Sequence, residues 1–173
     1  DACACRLLSL CKNRVIFTNF HNHLPNTQVV YMSVMKSLKK FLESKNYARI
    51  PLVLTKTNHF EIAAKINGIE GRFILDTGAS NTCIGIDRTT HFNLVSETSE
   101  VKAAGAGSVE METMLAKNNK IQLGNWKKKK QKIVLFSLAH VNEALTNHKV
   151  NAVDGIIGAD VLKKGKAIID YNK

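Results

Sequence analysis

Apolar positions along this chain change their spacing early. In "SVMKSLKKFLESKN", Val34, Leu38, Phe41 and Leu42 recur at helical intervals with lysines opposite. That pattern predicts a short amphipathic helix within residues 32–48, with Ser33 as its N-cap. Beyond it the period shortens to two. "IPLVLTK" and "HFEIAAKI" read as strands, and Asn67-Gly68 turns the second into "GRFILDT" to make a hairpin. "TCIGI", "KIQLGNW", "QKIVLFSL" and "KAIIDY" are further strands, while "DGIIGADVLKKG" runs from a strand into a short helix and "HVNEALTNH" holds one or two helical turns. Gly105, Ala106, Gly107 and Ser108, small residues between strand-like ends, predict a mobile hairpin tip. Short strands at close spacing with few helices predict a mainly β fold, a small closed β-barrel. It carries a short N-terminal helix and another near the C-terminus. Residues 1–31 show no sustained period and are expected to form a poorly ordered extension with few contacts to the barrel. On that reading the functional protein starts near Met32 and its principal domain spans 49–173.

Composition alters this picture little. At 173 residues and 45% hydrophobic, the chain can bury one real core. No apolar run approaches the roughly 18–20 residues of a membrane span, so no membrane partner is expected. The formal charge is +11, but five lysines lie between Lys127 and Lys132. Nearly half of the excess therefore sits in one short stretch, and a solvated loop joining two strands accounts for it better than a nucleic-acid groove does. Trp126 beside those lysines is expected to pack on the barrel rather than stack on a base. Cys3, Cys5 and Cys11 match no zinc spacing, and Cys83 stands alone, more in keeping with core than with a nucleophile. Without a disulfide framework the default is a reducing compartment, the cytoplasm. His59, His91, His140 and His148 show no ligand spacing. No metal or cofactor is expected.

The chemistry concentrates in "GRFILDTGASNTCIGI". Phe73, Ile74 and Leu75 form a buried strand, so Asp76 emerges at its end on a fixed backbone. A carboxylate there is costly unless it is hydrogen-bonded or doing chemistry. Thr77 sets a hydroxyl beside it, Gly78 allows another backbone to approach, and Ser80 can hydrogen-bond the carboxylate from the same loop. Asp-Thr-Gly also occurs in ordinary Asx turns, which would explain Asp76 but not the apolar strands on both sides.

Asp76-Thr77-Gly78-Ala79-Ser80 after an apolar strand resembles the catalytic loop of retropepsin-like aspartic proteases. "GIIGADVL", Gly155 to Leu162, resembles that family's apolar-apolar-Gly element, in which Ile156, Ile157 and Gly158 pass beneath the catalytic loop. The Gly105–Ser108 tip falls where the family has its flap. The resemblance runs in order from about Asn58 to Tyr171 and is closest to small single-domain bacterial members. It implies an aspartic endopeptidase acting on peptides or proteins, with Asp76, Thr77 and Gly78 catalytic, Ala79 and Ser80 supporting them, and residues 105–108 contacting substrate. Two points depart from the pattern. The helix near residue 40 is outside the minimal retropepsin, and the family usually has another strand after the position of "IIDYNK".

Aspartic proteolysis requires two carboxylates sharing one proton. The chain has one Asp-Thr-Gly, and Asp154, Asp160 and Asp170 lie in other contexts. A two-fold homodimer pairing Asp76 with its symmetry mate is therefore expected. The competing readings are a catalytically silent peptide-binding module that uses the same cleft and, with less behind it, a nucleic-acid-binding domain built on Trp126 and the lysines.

Overall fold

Inward and outward residues alternate along the third strand: Ile62, Ala64 and Ile66 are buried while Ala63 and Lys65 are exposed. That alternation is the signature of a strand with one face on a core, and it recurs around a closed ring. The computed structural model describes residues 14–19, 38–98, 103–105, 108–111 and 113–171. In chain order the elements are β1 (Arg14–Asn19), helix α1 (38–44), β2 (Tyr47–Leu54), β3 (Phe60–Ile66), β4 (Ile69–Leu75) and β5 (Cys83–Gly85). After a 3-10 turn at Ile86–Arg88 follow β6 (Ser96–Thr98), β7 (Ala103–Gly105), β8 (Ser108–Met111), β9 (Met114–Leu123) and β10 (Trp126–Phe136). The chain continues through α2 (Ala139–Asn147), β11 (Gly155–Ile157), α3 (Ala159–Gly165) and β12 (Ile168–Asp170).

Six strands close the barrel in the order β3-β4-β11-β5-β10-β9 and back to β3. The closing contact pairs Lys65 with Gln122 and Ile66 with Ile121. Asn67 latches it. This turn residue sits at φ 52°, its Oδ1 accepts from the Lys120 amide at 2.9 Å, and its Nδ2 donates to Asn119 Oδ1 at 2.9 Å. Ile62, Phe73, Ile84, Phe92, Ile133 and Leu135 are among the fully buried side chains inside, each contributing roughly 1.5–3 kcal/mol of transfer free energy. At the end of β4 the alternation gives way to continuous burial. Phe73 and Leu75 join the main core, while Ile74 packs with Leu145 of α2 and Val153 in a second small cluster. Both faces of the strand are thus covered where the Asp76 loop leaves it.

Several expectations need correction. Within residues 1–31, Arg14–Asn19 form β1, which lies parallel to both β2 and β12, where no element and few contacts were expected. "RVIFTN" is rich in β-formers but too short to establish a period. The remainder of that segment lies outside the described residues, as does the start of the predicted helix. Of that helix's apolar stripe, Leu42 is buried, whereas Leu38 and Phe41 are 41% and 56% exposed. Lys127–Lys130 do not form the loop. They lie in β10, and the hairpin turns at Gly124, φ 53°, and Asn125. Strict alternation would bury every second lysine. Register shifts between Lys128 and Ile133, with Asn118 and Lys130 at positive φ, break it and leave all four exposed. Trp126 is buried, 2% exposed. "HVNEALTNH" supplies all but the first residue of the nine-residue helix α2 and its C-cap, His148.

Candidate active site

The Asp76 loop is anchored from below by the β11–α3 junction. The Asp76 amide donates to the Ile157 carbonyl at 3.0 Å and the Ala159 amide to the Ala79 carbonyl at 2.8 Å. Between them Gly158 lies against the loop backbone. A Cβ there would stand 2.5 Å from the Asn81 carbonyl oxygen and 2.8 Å from that of Ala79, closer than any side chain can come. Ile156 and Ile157 pair in parallel with Ile74 and Leu75, so the two segments are knitted together just before the loop.

At its far end the loop is clamped by a carboxylate. The buried Thr82 donates to Asp160 Oδ1 from both its amide and its hydroxyl, each at 2.8 Å, and its Oγ1 accepts from the Gly158 amide at 3.1 Å. Gln131 Nε2 donates to Asp160 Oδ2, and Lys164 Nζ donates to Gln131 Oε1 at 2.8 Å. Asp160 thus ties β10 and α3 to the end of the loop, one residue before β5. Sequence reasoning missed Thr82, Gln131 and Asp160. The signal was a glutamine at an inward position of an apolar strand, which needs a buried partner.

At the near end Asp76 is exposed, and its Oδ1 accepts one bond, from the Gly78 amide at 2.8 Å. This is an Asx turn closed by main chain. The bond expected from Ser80 is not made; Ser80 is exposed on the loop. Thr77 is exposed too, and its hydroxyl has no hydrogen bond to a described residue, while Ala79 is half-buried. Gly105 and Ser108 face each other as the last pair of the β7–β8 hairpin. Ala106 and Gly107 lie outside the described residues.

Two other acids are committed to structure. Asp160 is the clamp. Asp154 Oδ2 accepts from the Arg72 amide at 2.9 Å, and its Oδ1 lies 2.7 Å from Arg88 Nε, close enough for an ion pair but not aligned as a hydrogen bond. Its backbone links β4 to β5 through Arg72 and Gly85. Cys83 is a free, half-buried thiol. Burial, with the Asp160 and Asp76 charges adding, pushes it up to about 12, so it stays protonated and is no nucleophile at neutral pH. Among the described residues no group of three or more His, Cys, Asp or Glu side chains could hold a metal ion.

Asp76 lies between two cavities. One, of about 280 Å³, is bounded by Thr77, Phe60, Ile169 and Tyr171, where the Phe60 and Tyr171 rings meet edge to face with centroids 5.3 Å apart. The other, of about 650 Å³, lies between Ile74, Ile156 and one face of α2.

A family model described as aspartyl protease matches residues 62–161. The chain belongs to this aspartyl protease family. The matched span begins in β3 and ends in α3, so it takes in the Asp76 loop, the Asp160 clamp and α2, while β1, α1, β2 and β12 lie outside it. Among solved structures the chain is similar to EIAV protease complexed with the inhibitor HBY-793. The two are 16% identical with a TM-score of 0.48, over 64% of this chain and 90% of that one. It is also similar to a retropepsin-like aspartic protease from Rickettsia conorii, at 15% identity and a TM-score of 0.44, over 64% of this chain and 74% of the other. No curated protein matches. The aspartic-protease resemblance and the mainly β barrel read from the sequence both hold for this member of the aspartyl protease family.

Proposed function

We propose that the protein is an aspartic endopeptidase whose active species is a two-fold homodimer, with Asp76 of each copy forming the catalytic pair. The observation that carries this is the contrast among its acids. Asp76 is exposed on a loop fixed from beneath and holds one hydrogen bond, while Asp154 and Asp160 are tied up in structural contacts. Two such carboxylates facing each other cannot both ionise, so one keeps a proton. The ionised Asp76 takes a proton from a water molecule, whose oxygen attacks the scissile carbonyl carbon. The protonated Asp76 hydrogen-bonds the carbonyl oxygen as it gains charge. Collapse of the tetrahedral intermediate breaks the C–N bond, and the nitrogen leaves with a proton from the pair. Thr77, exposed and without a partner among the described residues, bonds across the dimer axis, and Gly78 lets the loops approach. Ala79 and Ser80 support the loop. The substrate lies extended under the hairpin tip at residues 105–108, which adds main-chain bonds like an extra strand.

Incubation of the full chain with a diverse peptide library at mildly acidic and neutral pH, with and without a pepstatin-type inhibitor, tests the activity. Cleavage that the inhibitor and Asp76→Asn both remove is the expected result. Peptide binding without cleavage would instead favour a silent binding module.

A further inference from the structure

The larger cavity beside Asp76 carries chemistry that the hydrolytic step does not use. Its wall is one face of α2, Val141, Ala144 and Leu145, spaced as neighbours along a single stripe of the helix, with the C-cap residue His148 next along that stripe. Val141 and Leu145 pack with Ile74 in the second hydrophobic cluster, and Ile156 completes an apolar floor. The rim differs. Lys56 and His148 are both exposed there, and His59, whose Nδ1 is engaged with Thr57 Oγ1 at 2.9 Å, stands beside them. Asp76 is the one carboxylate among the residues bounding the space. At about 650 Å³ it is large enough for a bulky side chain together with part of its neighbour.

We propose that α2 is a specificity element: its Val141–Ala144–Leu145 face seats a large apolar side chain next to the scissile bond, and Lys56 and His148 select an acidic residue beside it. This rests on the peptidase reading for its cleavage readout and extends it to the class of substrate. A seat of this kind discriminates by apolar volume, roughly 10-fold or more per methylene group lost. An exposed cationic rim discriminates less, about threefold for each pair, because water screens it.

The test uses fluorogenic peptides that vary the apolar residue at the cleaved bond and place Asp, Asn or Lys beside it. The protein should favour Leu, Met or Phe over Gly by at least about 10-fold, and Asp over Lys by a few-fold. Ala144→Trp, on an exposed position of α2, should shift preference towards small side chains, and Lys56→Glu with His148→Glu should reverse the charge preference. A second measurement follows binding of the same peptides carrying a reduced, uncleavable bond to Asp76→Asn protein and to the α2 variants made on that background. Asp76-dependent cleavage whose preferences these substitutions leave unmoved overturns the α2 proposal while leaving the peptidase reading intact. Binding with the expected preferences but no cleavage supports the α2 proposal and sinks the peptidase reading. Neither binding nor cleavage overturns both.

Discussion

The two ends of the loop from Asp76 to Thr82 are built differently, although a carboxylate sits at each. At the Thr82 end Asp160, half-buried in α3, receives two bonds from Thr82 and one from Gln131 of β10. At the other end Asp76 receives one bond, from the Gly78 amide, and faces open space on two sides. An acid surrounded by donors holds backbone in place; an acid with one donor and free lone pairs remains available to a proton and a substrate. Rigidity at one end is what permits exposure at the other, because an exposed carboxylate is useful only where its position is fixed.

The largest effect expected from this comparison is at the open end. Asp76→Asn should reduce peptide cleavage by roughly 10,000-fold while the circular-dichroism spectrum and melting temperature stay close to wild type. Loss of fold in that variant would make Asp76 structural and erase the distinction between the ends.

The clamped end should respond in the opposite sense. Asp160→Ala leaves Thr82 and Gln131 without their acceptor and should cost about 3 kcal/mol of stability by denaturant titration. Cleavage should fall by roughly 100-fold through displacement of the loop, and Asp160→Asn should recover part of both. An Asp160→Ala protein as stable as wild type would show that the clamp does not hold the loop.

These ends were unequally legible in the sequence. Asp76 could be read because a lone acid after Phe73-Ile74-Leu75 has a local meaning, and Ile156–Gly158 because an apolar pair followed by glycine does too. Asp160, Thr82 and Gln131 could not be joined, since each looks ordinary alone and their partnership crosses up to 78 residues. The Lys127–Lys130 stretch misled for a different reason. A run of charge resembles a loop unless a bulge is known to suspend alternation, and the bulge depends on pairing with β9. β1 was invisible because its partners, β2 and β12, supply the order that its own six residues do not signal.

Smaller effects lie further from the loop. Asn67→Ala should cost about 1–2 kcal/mol, since it removes the latch between the β3–β4 hairpin and β9. Unlike Asp160→Ala it should spare cleavage measured well below the melting temperature. A matching loss of activity would mean that the whole barrel, and not the clamp, sets the loop's position.

The smallest effect is the response of Cys83 to pH. Its folded value, about 12, lies above the ordinary 9.0. The unfolded chain therefore loses its thiol proton first, and this contribution to stability is present below pH 9 and declines between 9 and 12. Cys83→Ser should flatten the alkaline limb of a stability profile relative to wild type. An unchanged limb would show that burial beside Asp76 and Asp160 does not govern this thiol.

The claim that two copies of the open end make one active site is tested most directly by mixing. Wild-type and Asp76→Asn chains are combined at fixed total protein under conditions where subunits exchange, and cleavage rate is followed against mutant fraction. Pairing at random with activity only in wild-type pairs predicts a squared dependence, so that an equal mixture retains about a quarter of the activity. A strictly linear loss, with half the activity at an equal mixture, would show that each chain works alone.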